Sequence, residues 1–422
     1  MNIQKINKPN YDIYFVKNNK FKTVLISTIF INNFKNDEIT MDKFLCSYLV
    51  SSTKDYDDEV KLSRKCMSLY DPRIDIYDLY FDVHIKCFDI SFLNEKFTEN
   101  GMNKQNINFY YDIIFNPNIV DDSLEKSNFK LVKSSLETEF SLREENPSET
   151  AYFGAMTNIK EDIPLSHDYR GNLDDLKKIN EKNCYKHYVN RIKDSKVCVF
   201  VIGDIDINEI EKLIDDKLNA KGFNKDIKFK NEYELKVNNK PYEINEKSSF
   251  NETIIYLLYK IHNMTKRERY IVLPVLNEIL GGNSSKLFNN VREKNSLAYY
   301  AYSNFSPAQG ILYMYAGIDK KNKKKTISIM KEQLNSITSG DISTNEIESA
   351  KNSLISSLTL TYDNQYKILN DIKLATLFER DSFDKKINFF KEVTTDEIIS
   401  LSKKINFYFA YILEGEDRWW RG

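Results

Sequence analysis

Hydrophobic and polar positions along the chain follow two periods, and the points where one gives way to the other mark its elements. Residues 22–31 are rich in β-branched side chains and predict a strand. From Asp37 to Ser51 the apolar positions Met41, Phe44, Leu45, Tyr48 and Leu49 have helical spacing. A second helix is predicted over 58–69, ended by Asp71-Pro72. Residues 74–90 alternate polar and apolar, which predicts two antiparallel strands with one face in water; His84 falls within that alternation. Helices follow at 103–115 and 121–145, the second stopped at Asn146-Pro147 because proline lacks an N–H and disfavours helix before it. After a loop containing Pro164, a helix over 172–189, a buried strand over 196–204 and a helix over 208–218 complete the first half.

Residues 221–245 are polar, rich in Lys and Asn, and poorly periodic, as a linker would be. Beyond them come a strand at 253–260 and a helix at 266–280, which Pro274 should bend or delay. The only adjacent glycine pair among 12 glycines, Gly281-Gly282, then introduces a short charged helix and an aromatic strand reaching Ser303. A strand at 310–317, helices near 322–337, 344–359, 366–377 and 395–404, and a strand at 407–413 finish the chain. Both halves open on a strand and a helix, continue through an antiparallel pair and several helices, and close on a strand with a glycine. The fold class expected is therefore α+β, two duplicated domains each with an antiparallel-rich sheet packed with helices, at a period of roughly 200 residues. The domains are placed at 1–220 and 246–422.

Composition narrows the functions open to such a chain. With 422 residues and 41% hydrophobic content it can bury sizeable cores. Lys+Arg 61 against Asp+Glu 62 gives no bulk charge that would recruit nucleic acid or an anionic membrane. The first residues lack the apolar core of a signal peptide, and no apolar run is long enough to span a bilayer, so a cytoplasmic protein is expected. Cys46, Cys66, Cys87, Cys184 and Cys198 are scattered without metal or redox spacing and read as reduced thiols. His84, His167, His187 and His262 never fall four apart, so no helix offers a two-histidine metal face. Glu137, Glu139, Glu144 and Glu145 read as a solvated helix face partly paired with Arg143 and Lys133. Both tryptophans, Trp419 and Trp420, stand beside arginines at the end of the chain, as a surface tail or a docking segment.

One stretch carries a resemblance. Gly281-Gly282-Asn283-Ser284-Ser285, followed by Arg292-Glu293-Lys294-Asn295-Ser296-Leu297-Ala298-Tyr299, lies in the second of two duplicated α+β halves. It resembles the pitrilysin and mitochondrial-processing-peptidase family of inverzincin metallopeptidases, which implies the half-clamshell fold of those enzymes. In that family an H-x-x-E-H helix of the first domain holds zinc, and the glutamate activates the bound water. The matching positions here are Lys43, Cys46 and Ser47, so the resemblance implies no zinc cofactor in this chain and no cleavage by it alone. Glu139 matches the third zinc ligand and is left with a structural role. Arg292 and Tyr299 match the pair that holds the substrate backbone and its developing oxyanion, acting across to the zinc half. Tyr300 and Tyr302 are expected to pack or to contact substrate loosely. The partner implied is a homologous zinc-bearing H-x-x-E-H subunit in a heterodimer, with a peptide substrate held extended on an edge strand. The alternative is a structural or peptide-binding scaffold of the same fold without proteolysis.

Overall fold

The computed structural model describes residues 3–416 apart from 144, 225–226, 228–231, 234 and 236–239. Glu144 and the Trp419-Trp420 pair thus lie outside the described residues. In chain order the first half contains β1 (Ile3–Asn7), β2 (Tyr11–Lys17), β3 (Thr23–Asn33), α1 (Ile39–Leu49), α2 (Glu59–Ser68), β4 (Arg73–Tyr80), β5 (Val83–Leu93) and α3 (Met102–Phe115). It continues with a small hairpin, β6 (Ile119–Val120) and β7 (Ser123–Leu124), then α4 (Lys126–Arg143), α5 (Pro147–Thr157), α6 (Leu173–Lys178), α7 (Glu181–Lys193), β8 (Lys196–Gly203) and α8 (Ile207–Leu218). The second half runs β9 (Tyr242–Lys247), β10 (Thr253–Ile261), α9 (Leu273–Gly281), β11 (Ala298–Ser306), β12 (Ile311–Ile318) and α10 (Lys323–Thr338). It closes with α11 (Thr344–Thr361), α12 (Gln365–Leu377), α13 (Phe383–Glu392), α14 (Thr395–Ser402) and β13 (Ile405–Glu414).

The expected α+β duplication is visible in the strand pairing. One sheet has the order β1-β2-β8-β3-β5-β4 and the other β11-β12-β10-β13-β9. Read from β2, the first sheet has the same order as the second read from β9, with β3, β4, β5 and β8 taking the places of β10, β11, β12 and β13. The pairing senses agree too: β2 lies parallel to β8 and β9 parallel to β13, and the remaining pairs of this shared order are antiparallel. Among the described residues only the first sheet has an extra edge strand, β1, hydrogen-bonded antiparallel to β2.

Two compact units result, residues 1–142, 169–229 and 365–373 in one, and 143–168, 230–364 and 374–422 in the other. In the first, the sheet buries Phe30, Phe88 and Ile90 against Phe44, Tyr48 and Tyr110 of the helices. In the second, one sheet face packs Leu257, Met314 and Ile412 on α9 and α10, and the other packs Tyr256 and Tyr411 against Ala151 and Ala155 of α5. We propose 221–245 as the linker on sequence grounds; several of its positions lie outside the described residues.

Several elements depart from the sequence pattern for identifiable reasons. Pro147 not only stops α4 but also starts α5, because Asn146 accepts from the Ser148 and Glu149 N–H groups and proline suits the first helical position. The helix expected at 172–189 is two helices, since Asn180 and Asn183 form a capping box that restarts it as α7. The helix expected from 121 begins at Lys126, after Asp121 and Asp122, both at positive φ, turn the small hairpin. The helix expected at 266–280 runs unbroken over 266–281, so Pro274 does not delay it; a π-helical turn at Glu268–Val272 stands just before the proline.

The largest departure concerns 74–90. No face of β5 is wet: nine of its 11 residues are buried. On one side His84 and Lys86 lie beneath α1; on the other Asp89 lies beneath α12 at Lys373. Asp89 accepts from Ser27 Oγ, from Tyr77 OH at 3.0 Å and from Lys373 Nζ at 3.2 Å. Gln365, at the start of the same helix, donates to the Thr23 and Ile202 carbonyls, both at 3.0 Å. An alternating pattern cannot distinguish water from a buried partner supplied by a distant segment.

Lys373 and Asp89 both have side chains 4% exposed, so removing one leaves a buried, uncompensated charge. Lys373→Ala is expected to lower the unfolding free energy by about 3–5 kcal/mol, read by urea denaturation. A change below about 1 kcal/mol would show that the pair does not hold α12 on this sheet.

Candidate functional site

The site expected on α1 rests on a buried carboxylate. Asp42, 1% exposed, points inward from α1 and receives Arg191 through Nη2 at 2.6 Å and Nε at 3.1 Å, and His187 through Nε2 at 2.9 Å. His84 Nδ1 stands 3.4 Å from its other oxygen, and Lys86 donates to its backbone carbonyl at 3.0 Å. Burial alone would raise the Asp42 carboxyl, but the charge of His84, the His187 hydrogen bond and the charges of Lys86 and Arg191 outweigh it and hold it far below the usual carboxylate range. Asp78, directly opposite Lys86 in the β4–β5 register, extends the cluster, binding Lys86 at 2.8 Å and His84 Nε2 at 2.6 Å. Burial opposes its charge as well, and Lys86 and His84 again prevail and lower it.

With Asp42 facing the core, Lys43, Cys46 and Ser47 face a cleft of about 660 Å³, floored by β4 from Ile74 to Tyr80 and closed on one side by Tyr169. Lys43 Nζ lies 2.9 Å from Glu139 Oε1 of α4. The matched ligand positions therefore converge, but their chemistry does not suit zinc: one is an ammonium, one a hydroxyl, and the carboxylate is already paired with the ammonium. Cys46 donates to Asp78 and receives Lys86, both at 3.1 Å. Burial first, and then the Asp78 charge, raise its pKa and keep it a thiol. Among the described residues no group of three or more His, Cys, Asp or Glu could hold a metal ion.

Arg292 and Tyr299 come together in a second cleft of about 310 Å³, lined also by Glu293, Ser296, Leu297 and Asp319. The charged helix expected before them is a π-helical turn, Phe288–Glu293, pinned by buried Val291 and Leu297. Arg292 lies 5.1 Å above the Phe288 ring and 3.7 Å from Glu293, with its side chain 46% exposed. Tyr299 falls where the β11–β12 register slips between Ala298 and Tyr300, a bulge that turns its ring outward to 63% exposure. Its hydroxyl donates to Asp319 Oδ1 at 3.1 Å; that bond, reinforced by the Asp319 charge, raises the phenol pKa and keeps it a donor. Tyr300 and Tyr302 instead pack tilted against Tyr315, with ring centroids 6.2 and 6.0 Å from it. The glycine pair has a packing reason: a Cβ on Gly281 would overlap the Ser303 backbone nitrogen, so only glycine lets α9 lie against β11.

The two units have equivalent sheets, one bearing the altered ligand helix and the other the exposed Arg/Tyr pair. Residues 178–354 match the family model described as "Peptidase M16 inactive domain". The chain is 25% identical over 358 residues, 84% of this chain and 83% of the other, to the "Probable inactive metalloprotease YmfF" of Bacillus subtilis (strain 168). A conserved protein from Enterococcus faecalis V583 has the same fold, with a TM-score of 0.92 at 24% identity and 99% of both chains covered. So does a peptidase M16 inactive domain from Pseudomonas fluorescens, with a TM-score of 0.79 at 14% identity and 99% of both chains covered. These likenesses fit a chain without peptidase activity of its own.

Sequence reasoning placed Lys43, Cys46, Ser47, Glu139, Arg292 and Tyr299 but missed Asp319, Asp78 and the Asp42 cluster. Asp42, three residues before Leu45 on an otherwise apolar helix face, was the available signal. The cluster carries a pH signature. Carboxyls held below their unfolded value of about 4 contribute stability above that pH and lose it as pH falls further. Asp42→Asn is expected to cost about 3–5 kcal/mol near neutrality and to flatten the loss of stability between about pH 5 and pH 2, read by urea unfolding at each pH. An unchanged slope would show that Asp42 does not supply this dependence.

Proposed function

We propose that this chain is the non-catalytic, substrate-binding subunit of a cytoplasmic heterodimeric zinc peptidase, supplying Arg292 and Tyr299 to the zinc site of a homologous H-x-x-E-H subunit. The observation that carries this reading is the contrast between the clefts. At Lys43, Cys46 and Ser47 the matched metal donors are replaced or paired off, whereas Arg292 and Tyr299 remain exposed in one open cleft beside the edge strand β11. In the pair, zinc would supply the activated water and polarise the scissile carbonyl. This chain would contribute two donors to the negative charge that develops on that carbonyl oxygen: the Arg292 guanidinium and the Tyr299 phenol, which would turn its single O–H proton from Asp319 to the oxyanion. Edge strand β11 gives an extended peptide a backbone to pair with. No helix among the described residues is long and apolar enough to cross a membrane, which fits a substrate reached from the aqueous phase.

Mixed with an H-x-x-E-H subunit, the chain should complete peptidase activity that neither shows alone. Arg292→Ala in this chain should then lower kcat/KM by about a hundredfold or more, and Tyr299→Phe by about tenfold or more, with zinc content and pairing unchanged. Full activity of the pair with both substitutions would leave the chain a scaffold.

A further inference from the structure

Directly after Asp319, which closes the Arg292/Tyr299 cleft, the chain reads Lys320-Lys321-Asn322-Lys323-Lys324-Lys325. A chain of net charge −1 thus places five lysines in six residues beside this cleft. Two of them are spoken for. Lys320 Nζ pairs with Glu414 at 2.9 Å, and Lys323 Nζ lies 3.7 Å from Glu414 and 3.8 Å from Glu243. The other three are exposed. Lys321, 81% exposed, reaches only Asp319, at 4.0 Å, and among the described residues Lys324 and Lys325 have no carboxylate partner.

The fold itself does not call for this arrangement. Lys323, Lys324 and Lys325 form the first turn of α10, where the helix dipole repels cations; that turn holds no acidic residue, and Asn322 makes no side-chain cap. The carboxylates of the cleft do not balance the whole run, since Glu293 faces Arg292 and Asp319, 4.0 Å from Lys321, can offset only one of the three exposed lysines. The excess positive charge therefore sits on exposed side chains within six residues of Asp319, which lines the cleft.

From this geometry we infer that Lys321, Lys324 and Lys325 form an acid-reading rim of the Arg292/Tyr299 cleft, so that the preferred occupant is a peptide with aspartate or glutamate beside the segment held in the cleft. This rests on the peptide-binding reading above and adds the substrate class. A peptide fits better than a nucleic acid or a lipid surface. The patch is small, the rest of the chain is charge-balanced, and the cleft it borders offers a guanidinium, a phenol and an edge strand, which suit a peptide backbone.

The test uses the full-length chain and fluorescein-labelled extended peptides of about 12 residues, identical except for Asp and Glu in one and Asn and Gln in the other. By fluorescence anisotropy at low salt the acidic peptide should bind about tenfold more tightly, and the difference should vanish near 0.5 M salt. Lys321→Gln/Lys324→Gln/Lys325→Gln should abolish the preference while leaving affinity for the neutral peptide and the circular dichroism spectrum unchanged. Replacing the three by Glu should reverse the preference towards a lysine-bearing peptide. Equal binding of both peptides by the native chain, or a preference that survives the Gln variant, would overturn the rim and leave the peptide-binding reading standing. Binding of neither peptide would overturn that reading itself. Tighter binding of single-stranded RNA or phosphatidylglycerol vesicles, lost in the Gln variant, would assign the lysines to a polyanion and sink the proposal.

Discussion

The first unit depends on one buried anion. Taking the Asp42 carboxylate out of water is costly, and it becomes tolerable only when its oxygens are satisfied from several directions at once. Arg191 and His187 come from α7, His84 from β5, and Lys86 holds the backbone carbonyl of the same residue. Removing any one of these groups would leave charge or a donor stranded, so α1, α7 and the β4–β5 hairpin are constrained to one arrangement. The position of Lys43, Cys46 and Ser47 over their cleft follows, because Asp42 fixes the rotation of the helix that carries them, with Cys46 one turn further along beside the same Lys86.

A second buried carboxylate does the equivalent on the other face of the same hairpin. Asp89 collects Ser27, Tyr77 and Lys373, the last from a segment 284 residues further along the chain. A two-stranded ribbon whose pattern suggests one solvated side is thus gripped from both. The second sheet repeats the strand order without repeating these charges. Where the first sheet has His84, Lys86 and Asp89, the second has the tyrosines of β11 and β12, and it is on β11 that the exposed donor stands. One fold has been kept twice while the polar chemistry of the two copies has diverged.

This divergence explains what was legible in the sequence. Strands β3, β8, β10 and β12 and most long helices have one dominant period and tolerate few alternatives, so periodicity finds them. The duplication is legible for the same reason. Strands β1 and β2 are not: β1 is almost wholly exposed, and β2 gains its meaning from a parallel neighbour far along the chain. Asn146-Pro147 has two structural uses, ending α4 and starting α5, and local rules favour only the first. Of the candidate site, the residue types at 43, 46, 47, 292 and 299 were readable by resemblance. The partners that decide their chemistry were not: Glu139 on Lys43, Asp78 on Cys46 and Asp319 on Tyr299 are joined only by folding.

Asp319 shows how much such a partner can decide. A phenol has one proton to donate, and Tyr299 gives it to Asp319, whose carboxylate makes loss of that proton harder and holds it until another acceptor takes the carboxylate's place. The same carboxylate would repel an oxyanion were its charge left bare. It is not bare, because Lys321 stands 4.0 Å away on its other oxygen, and the lysines that follow bias the surrounding field towards positive. Phenol, carboxylate and lysine therefore act in sequence. The carboxylate keeps the phenol a donor, the lysine offsets the carboxylate, and the remaining ammonium groups are left to attract an anion. In the proposed reading, the feature that keeps Tyr299 competent and the feature that selects an acidic peptide are neighbouring parts of one short segment, Asp319 to Lys325.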